Sequence, residues 1–182
     1  LILLILLTQV LYVFGTSSDT MEDYDDVSPS SWYYRDVKEA RKAGYIVGVG
    51  HNLYSPDTEI TYAQYLTVTA RIVSPSIDNT ANTNPWYKKY IDYSKSNSIL
   101  AKNESIDPTV GIPRQDMVKY TCKALGIEPY IGNEILFGDV KPEDAAYINA
   151  AYNAYLIDGT KLPLTNKPGL FGFNTNAKRS EL

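Results

Sequence analysis

The chain has 182 residues and a formal net charge of −4, a balance that argues against a nucleic-acid binder, which needs a basic stripe to displace counterions from phosphates. It argues equally against bulk attraction to an anionic polymer. A single cysteine, Cys122, and a single histidine, His51, leave no disulfide framework and no His/Cys set for zinc.

In chain order, Leu1 to Leu7 is an unbroken apolar run that Val10 to Phe14 continues and Thr16-Ser17-Ser18-Asp19 ends. It reads as the apolar part of a secretory signal over residues 1–15, with its start missing and cleavage near Gly15 or a little later. The run is too short for a membrane span, and a buried helix or a signal anchor is the other reading. Cleavage would leave a protein without an integral membrane segment.

The first unit, residues 22–73, opens with Tyr24-Asp25-Asp26-Val27 and Trp32-Tyr33. Tyr33, Val37, Ala40 and Gly44 then recur at spacings of four, three and four, which places them on one helix face. Gly44 suits the left-handed position past the helix end, with Arg41 and Lys42 where cations favour a carboxyl terminus. His51 falls in a turn, and Tyr54-Ser55-Pro56 leads to Ile60. Thr61, three residues before Gln64, predicts a capping box that opens a second helix, with Leu66, Thr69, Ala70 and Val73 facing inward and Ser74-Pro75-Ser76 stopping it. An irregular linker to Asn84 follows.

The second unit, residues 84–126, starts at Pro85-Trp86-Tyr87 with Pro85 at the first helical position. Ile91 lies five residues after Trp86 as Val37 does after Trp32, and Ser94 stands where Ala40 stood. Its second helix opens at Ile112-Pro113-Arg114-Gln115-Asp116, with Met117, Val118, Thr121, Ala124 and Leu125 expected on the core face and Gly126 ending it. Cys122, four residues after Val118, reads as a small buried hydrophobe. The third unit, residues 136–182, begins Phe137-Gly138-Asp139-Val140 and runs through an alanine-rich helix with Ala145, Ala150 and Ala151. It passes Ile148 and Gly159, reaches Phe171-Gly172-Phe173-Asn174, and stops at Ala177-Lys178-Arg179-Ser180-Glu181, as its second helix should begin.

One pattern is therefore written three times, with second-helix openings at Thr61, Pro113 and Lys178, spacings of 52 and 65 residues. A unit this small cannot bury its own face and must stack on its neighbours. The fold expected is mostly all-α, built of tandem helix–loop–helix units.

The aromatic-x-Asp-Val opening, the Trp-led first helix, the glycine turn and the Ile60-Thr61-Tyr62-Ala63-Gln64 opening of the second helix resemble the S-layer homology family, whose repeat opens that helix with Ile-Thr-Arg-Ala-Glu. The resemblance covers roughly residues 22–182. It implies a pseudo-threefold bundle with second helices at the centre and ligand grooves between adjacent units. It also implies non-covalent anchoring of an exported surface protein to the cell wall, through a secondary cell-wall polymer, including polymers bearing a pyruvate ketal, or another peptidoglycan-linked glycan. The family's arginine in the second-helix opening is associated with that polymer, and a guanidinium fork suits a carboxylate because it offers two parallel charge-assisted hydrogen bonds. Arg114 and Arg179 match the position, and Tyr62 replaces the arginine in the first unit. Loss of Arg114 is accordingly expected to weaken polymer binding, and loss of Tyr62 to matter less.

The residues leave other roles open. Arg114 and Arg179 could instead pair locally with Asp116 and Glu181. Trp32 and Trp86 could pack between units, the favoured reading, or offer a flat face to a sugar ring. Asp26 and Asp139 read first as helix-start hydrogen-bonding groups and second as ligand contacts. No nucleophile set, no phosphate loop and no facing carboxylate pair is assembled by this sequence, so neither an enzymatic activity nor a cofactor is expected. A structural or protein-interaction module of a surface layer, or the anchoring part of a larger extracellular enzyme, are the alternatives.

Overall fold

The computed structural model describes residues 22–130, 132, 136–157 and 169–182. The expected leader at 1–15, and Gly159 of the third unit, lie outside them. Helix α1 spans Tyr34–Lys42, α2 Tyr62–Val73, α3 Lys88–Ser96, α4 Arg114–Ala124 and α5 Ala145–Asn153, with 3₁₀ turns at Pro75–Asn79, Pro142–Asp144 and Arg179–Glu181. Among the described residues there is no sheet, only isolated β-bridges, so the fold is mostly α.

Local chemistry sets the boundaries. At α2 the box closes in both directions: Gln64 N donates to Thr61 Oγ1 at 3.3 Å and Thr61 N donates to Gln64 Oε1 at 3.1 Å. Gly44 and Gly126 follow α1 and α4 with φ of +76° and +68°, a conformation in which a Cβ would be strained. Val37, Leu66, Ala70 and Cys122 are buried as their spacing requires.

Helices pair across unit boundaries: α2 packs on α3, α4 packs on α5, and α2 touches α4. The small side chains of Ala145 and Ala151 let α5 approach α4, where Val118 and Cys122 share one apolar cluster with Phe137, Ile148 and Phe171. A second cluster joins Ile60, Tyr65, Leu66, Leu100, Ile112, Tyr120 and Ala177.

At the centre of that second cluster the three units meet in a ring of backbone hydrogen bonds. Ile60 N donates to Ala177 O, Ala177 N to Ile112 O, and Ile112 N to Ile60 O, each at 2.9 Å. All three side chains are fully buried. The three residues are spaced by the same 52 and 65 residues that separate the second-helix openings. The hydrogen-bond cycle therefore relates three chain segments by an approximate threefold axis.

Several expectations are corrected. Trp32 and Trp86 are 72% and 53% exposed rather than packed in the core. Each sits in the turn before its helix, because α1 starts at Tyr34 and α3 at Lys88, so neither indole lies on the buried helical face. Pro85 is likewise in that turn and not at the first helical position. The linker after Ser74 is partly ordered, with Ile77 buried beneath Ala70 and Tyr90. On α4, Leu125 is exposed and Tyr120 is buried in its place, since Leu125 falls at the helix end, past Ala124.

Candidate ligand clefts between the units

The central ring fixes where each second helix opens, and so what its second residue meets. Tyr62 N donates to Val110 O, Arg114 N to Thr175 O and Arg179 N to Thr58 O. Each of these residues therefore leaves the axis beside the segment that leads into a neighbouring unit's ring strand.

Arg179 crosses into the first unit. Its Nε donates to Tyr54 O at 2.7 Å and its Nη2 to Val47 O at 3.1 Å. The guanidinium carbon lies 4.7 Å from the Tyr54 ring centroid. Only 6% of the residue is exposed, and among the described residues no carboxylate comes within ion-pair distance of it. Burial pulls Arg179 below its ordinary pKa, opposed by the neighbouring Tyr54. Asp26 also opposes the shift, from beyond ion-pair distance, and a guanidinium at this depth with no carboxylate in contact is costly.

Arg114 crosses into the third unit in the same way, with Nε donating to Phe171 O at 2.9 Å and its guanidinium 5.5 Å from the Phe171 ring. Its charge is already matched, because Nη1 pairs with Glu181 Oε1. Neither local ion pair that the sequence left open forms: Arg114 takes its carboxylate from another unit, and Asp116 accepts from Tyr62. Tyr62, in the third equivalent position, donates its hydroxyl to Asp116 Oδ2. Burial and this carboxylate together push the Tyr62 phenol well above its ordinary pKa. Asp116 also accepts Lys119 at 3.2 Å, and Lys119 reaches Glu104 at 3.0 Å, so polar side chains pair with one another there.

Asp26 and Asp139 do not cap helix starts. Asp26 accepts Tyr54 N at 2.8 Å and Ser55 N at 2.7 Å. Asp139 accepts the amides of Phe171, Gly172 and Phe173 at 2.8, 2.8 and 2.9 Å. Burial raises the Asp139 carboxyl, and the amide donors outweigh it, leaving the pKa below the usual carboxylate value. The two aspartates hold the turns against which Arg179 and Arg114 rest, so their part in any ligand site is to position those turns.

Two clefts result. One, of 440 Å³, brings Arg179 together with Trp86, Gln64, Arg71 and the Ile46–Val49 turn. The other, of 590 Å³, brings Arg114 together with Trp32, Met117, Leu156, Phe171 and Glu181. Both fall within the roughly 300–1,000 Å³ of small-molecule sites. Each takes an exposed indole from one unit, an arginine from the next and an apolar turn from the third. An aromatic face beside a fixed cation can stack a sugar ring and hold an acidic substituent. The Tyr62 position has no arginine, and the residue five after Val140, where Trp32 follows Val27 by five, is Ala145.

A separate 310 Å³ cleft lies between Asp23, Tyr34 and Lys38. There Lys38 and Asp23 pair at 2.9 Å, and Glu22, Glu39, Arg41 and Lys42 also line the wall. Sequence reasoning singled out both arginines and both tryptophans but missed Gln64 in the Arg179 cleft and assigned Glu181 to Arg179 where it meets Arg114. Their signal was present: each lies three residues after its helix-opening position, as Gln64 follows Thr61 and Glu181 follows Lys178.

Among the described residues no helix is long and apolar enough to cross a membrane. The family model of the S-layer homology domain matches residues 23–66. No curated protein matches the chain.

Proposed function

Because the chain carries an S-layer homology domain at residues 23–66, a kind of domain that generally mediates attachment of surface proteins to the cell wall, we propose that it anchors an exported protein non-covalently by binding a secondary cell-wall polymer. Residues 84–126 and 136–182 are two further copies in this reading, and the clefts between units are the polymer sites. The module is a binder and not an enzyme.

The single observation that carries the reading is Arg179: a nearly buried guanidinium without a carboxylate partner among the described residues, in a cleft with the exposed Trp86. Such a charge is best satisfied by an anion delivered from outside, and a carboxylate-bearing glycan such as a pyruvate ketal supplies one beside a ring that an indole can stack on. Arg114 matched the family position equally well in the sequence. It moves to second place here because Glu181 neutralises it.

The test is cosedimentation of the region from about Thr16 onward with walls of its own host, before and after chemical removal of secondary polymers. Binding that vanishes with the polymers supports the reading. Undiminished binding to stripped peptidoglycan contradicts it. Failure on intact walls would favour a protein-interaction module, a reading that the internally bonded Tyr62–Asp116 position supports.

A further inference from the structure

Two runs of four contacting side chains follow the same order in the first and third units. In the first, Arg41 lies over the Tyr24 ring with its guanidinium carbon 3.8 Å from the centroid, Tyr24 stacks on Tyr54 at 5.5 Å, and Arg179 sits over Tyr54. In the third, Tyr152 meets Phe137 at 5.8 Å, Phe137 meets Phe171 at 5.8 Å, and Arg114 sits over Phe171. Arg41 and Tyr152 hold one position. Each lies three residues before the left-handed residue past its helix, Gly44 at φ +76° or Tyr155 at +58°, and Tyr45 N donates to Ala40 O as Leu156 N does to Ala151 O, both at 2.9 Å.

The third unit therefore packs this position without a charge, and Arg41 adds a cation that the stacking does not need. Its Nη2 donates to Asn52 Oδ1 at 3.2 Å, but its Nη1 is buried without a hydrogen-bond partner, the one such side-chain atom among the described residues. Buried polar groups are nearly always paired, so this donor calls for a partner from outside the chain. A water would satisfy the N–H and leave the charge; an anion answers both. Among the described residues no carboxylate comes within ion-pair distance: Asp23 takes Lys38 and the Tyr34 hydroxyl, Asp25 accepts Asn52 Nδ2, and Glu22 and Glu39 only line the 310 Å³ cleft. Arg41 also lines a second cleft, of 530 Å³, where it is the sole charged residue beside Tyr24, Asn52 and the glycines 44, 48 and 50. That cleft shares Ile46, Val47 and Gly48 with the Arg179 cleft, but neither its arginine nor Trp86.

We propose that Arg41 seats a small free carboxylate, of acetate or lactate size, within the first unit and apart from the clefts between units. A single guanidinium offers one charge in a planar fork, which matches a monovalent carboxylate better than a doubly charged phosphate. Nη1 is closed to solvent, so the occupant is small, and a sugar ring is too large for it. Gly44 and Gly50 have open space where a Cβ would stand, which leaves room for so small a group to enter. The seat does not depend on wall-polymer binding; it gives the first unit a ligand of its own that stabilises the fold.

The experiment titrates the protein with sodium acetate, sodium lactate or sodium chloride at matched ionic strength, following the arginine Nε–Hε signals by NMR and the melting temperature by circular dichroism. Arg41→Tyr, Arg41→Lys and Arg179→Gln are compared with the parent. Arg41→Tyr copies the residue that the third unit carries at this position, so it should fold. Acetate should move the Arg41 signal saturably in the millimolar range, as one forked contact gives, and should raise the parent's melting temperature by binding the folded state. Arg41→Tyr should lose the thermal response. Arg41→Lys should bind at least about fivefold more weakly, because lysine keeps the charge and lacks the fork. Arg179→Gln should respond like the parent. An Arg41 signal that acetate does not move overturns the proposal, as does chloride acting as strongly as acetate. So does a full response retained by Arg41→Tyr, or one lost by Arg179→Gln and kept by Arg41→Lys, which would put the anion in the other cleft.

Discussion

Tyr54 and Arg179, 125 residues apart in the chain, are bonded to each other in both directions: the Tyr54 hydroxyl donates to Arg179 O at 2.5 Å, and Arg179 Nε donates to Tyr54 O at 2.7 Å. The reciprocal pair ties the last described segment to the first unit and seats a guanidinium against a phenol face. Arg179 is thereby both a structural clasp and the cation of a cleft, and the two roles can be separated by experiment.

As a clasp, Arg179 leaves two carbonyls and a ring face without a partner when truncated. Arg179→Ala should lower unfolding free energy by about 2–3 kcal/mol, the cost of orphaning buried hydrogen-bonding groups. Arg114→Ala should cost less, about 1 kcal/mol, because Arg114 and Glu181 are each about a quarter exposed and water can replace much of the pair. Urea unfolding monitored by circular dichroism measures both; equal losses would contradict the difference in burial.

The amides of Phe171, Gly172 and Phe173 depend on the Asp139 carboxylate. Its folded pKa lies below the ordinary aspartate value of 3.8, so its contribution is fully present above that value and is lost as pH falls through the lower folded one. Asp139→Asn should therefore be less stable than the parent at neutral pH, and the gap should narrow on acidification from about pH 5 to pH 2. A gap that stays constant across that range would show that the carboxylate charge is not what holds the turn.

At the central ring, two isoleucines and one alanine fill the space around the axis. Ile112→Ala should cost about 2–5 kcal/mol by opening a cavity. Ala177→Ile should also destabilise, by about 1–3 kcal/mol, because the ring is already full. Thermal denaturation of the two variants tests this, and an Ala177→Ile protein more stable than the parent would show that the ring is underpacked.

The exposed indoles give a direct optical handle. Acrylamide should quench both Trp32 and Trp86 readily in the free protein, and wall polymer should protect Trp86 more than Trp32. Single-tryptophan variants, Trp32→Phe and Trp86→Phe, separate the signals; protection confined to Trp32 would place the ligand in the Arg114 cleft.

What the sequence made legible is what lies within a few residues of itself. The Thr61–Gln64 box, the glycines after α1 and α4, the inward face of α2 and the burial of Cys122 all follow from local spacing. The 52- and 65-residue separations even anticipate the ring of Ile60, Ile112 and Ala177. Illegible were the partners chosen far along the chain: Arg114 meets Glu181 67 residues away, and Asp26 reaches the Tyr54 and Ser55 amides 28 and 29 residues on. The tryptophans were misplaced for a related reason. An indole ahead of a helix reads the same whether it lies in the turn or on the buried face, and only the true helix start, two residues after each tryptophan, decides.

Equilibrium binding of purified wall polymer to Arg179→Gln and Arg114→Gln, with circular dichroism as the folding control, tests the central claim most directly. The account predicts that Arg179→Gln binds at least about tenfold more weakly than the parent, as loss of a charge-assisted contact requires, while Arg114→Gln binds like it. Parent-like binding by Arg179→Gln, with the loss falling on Arg114→Gln, would contradict the account.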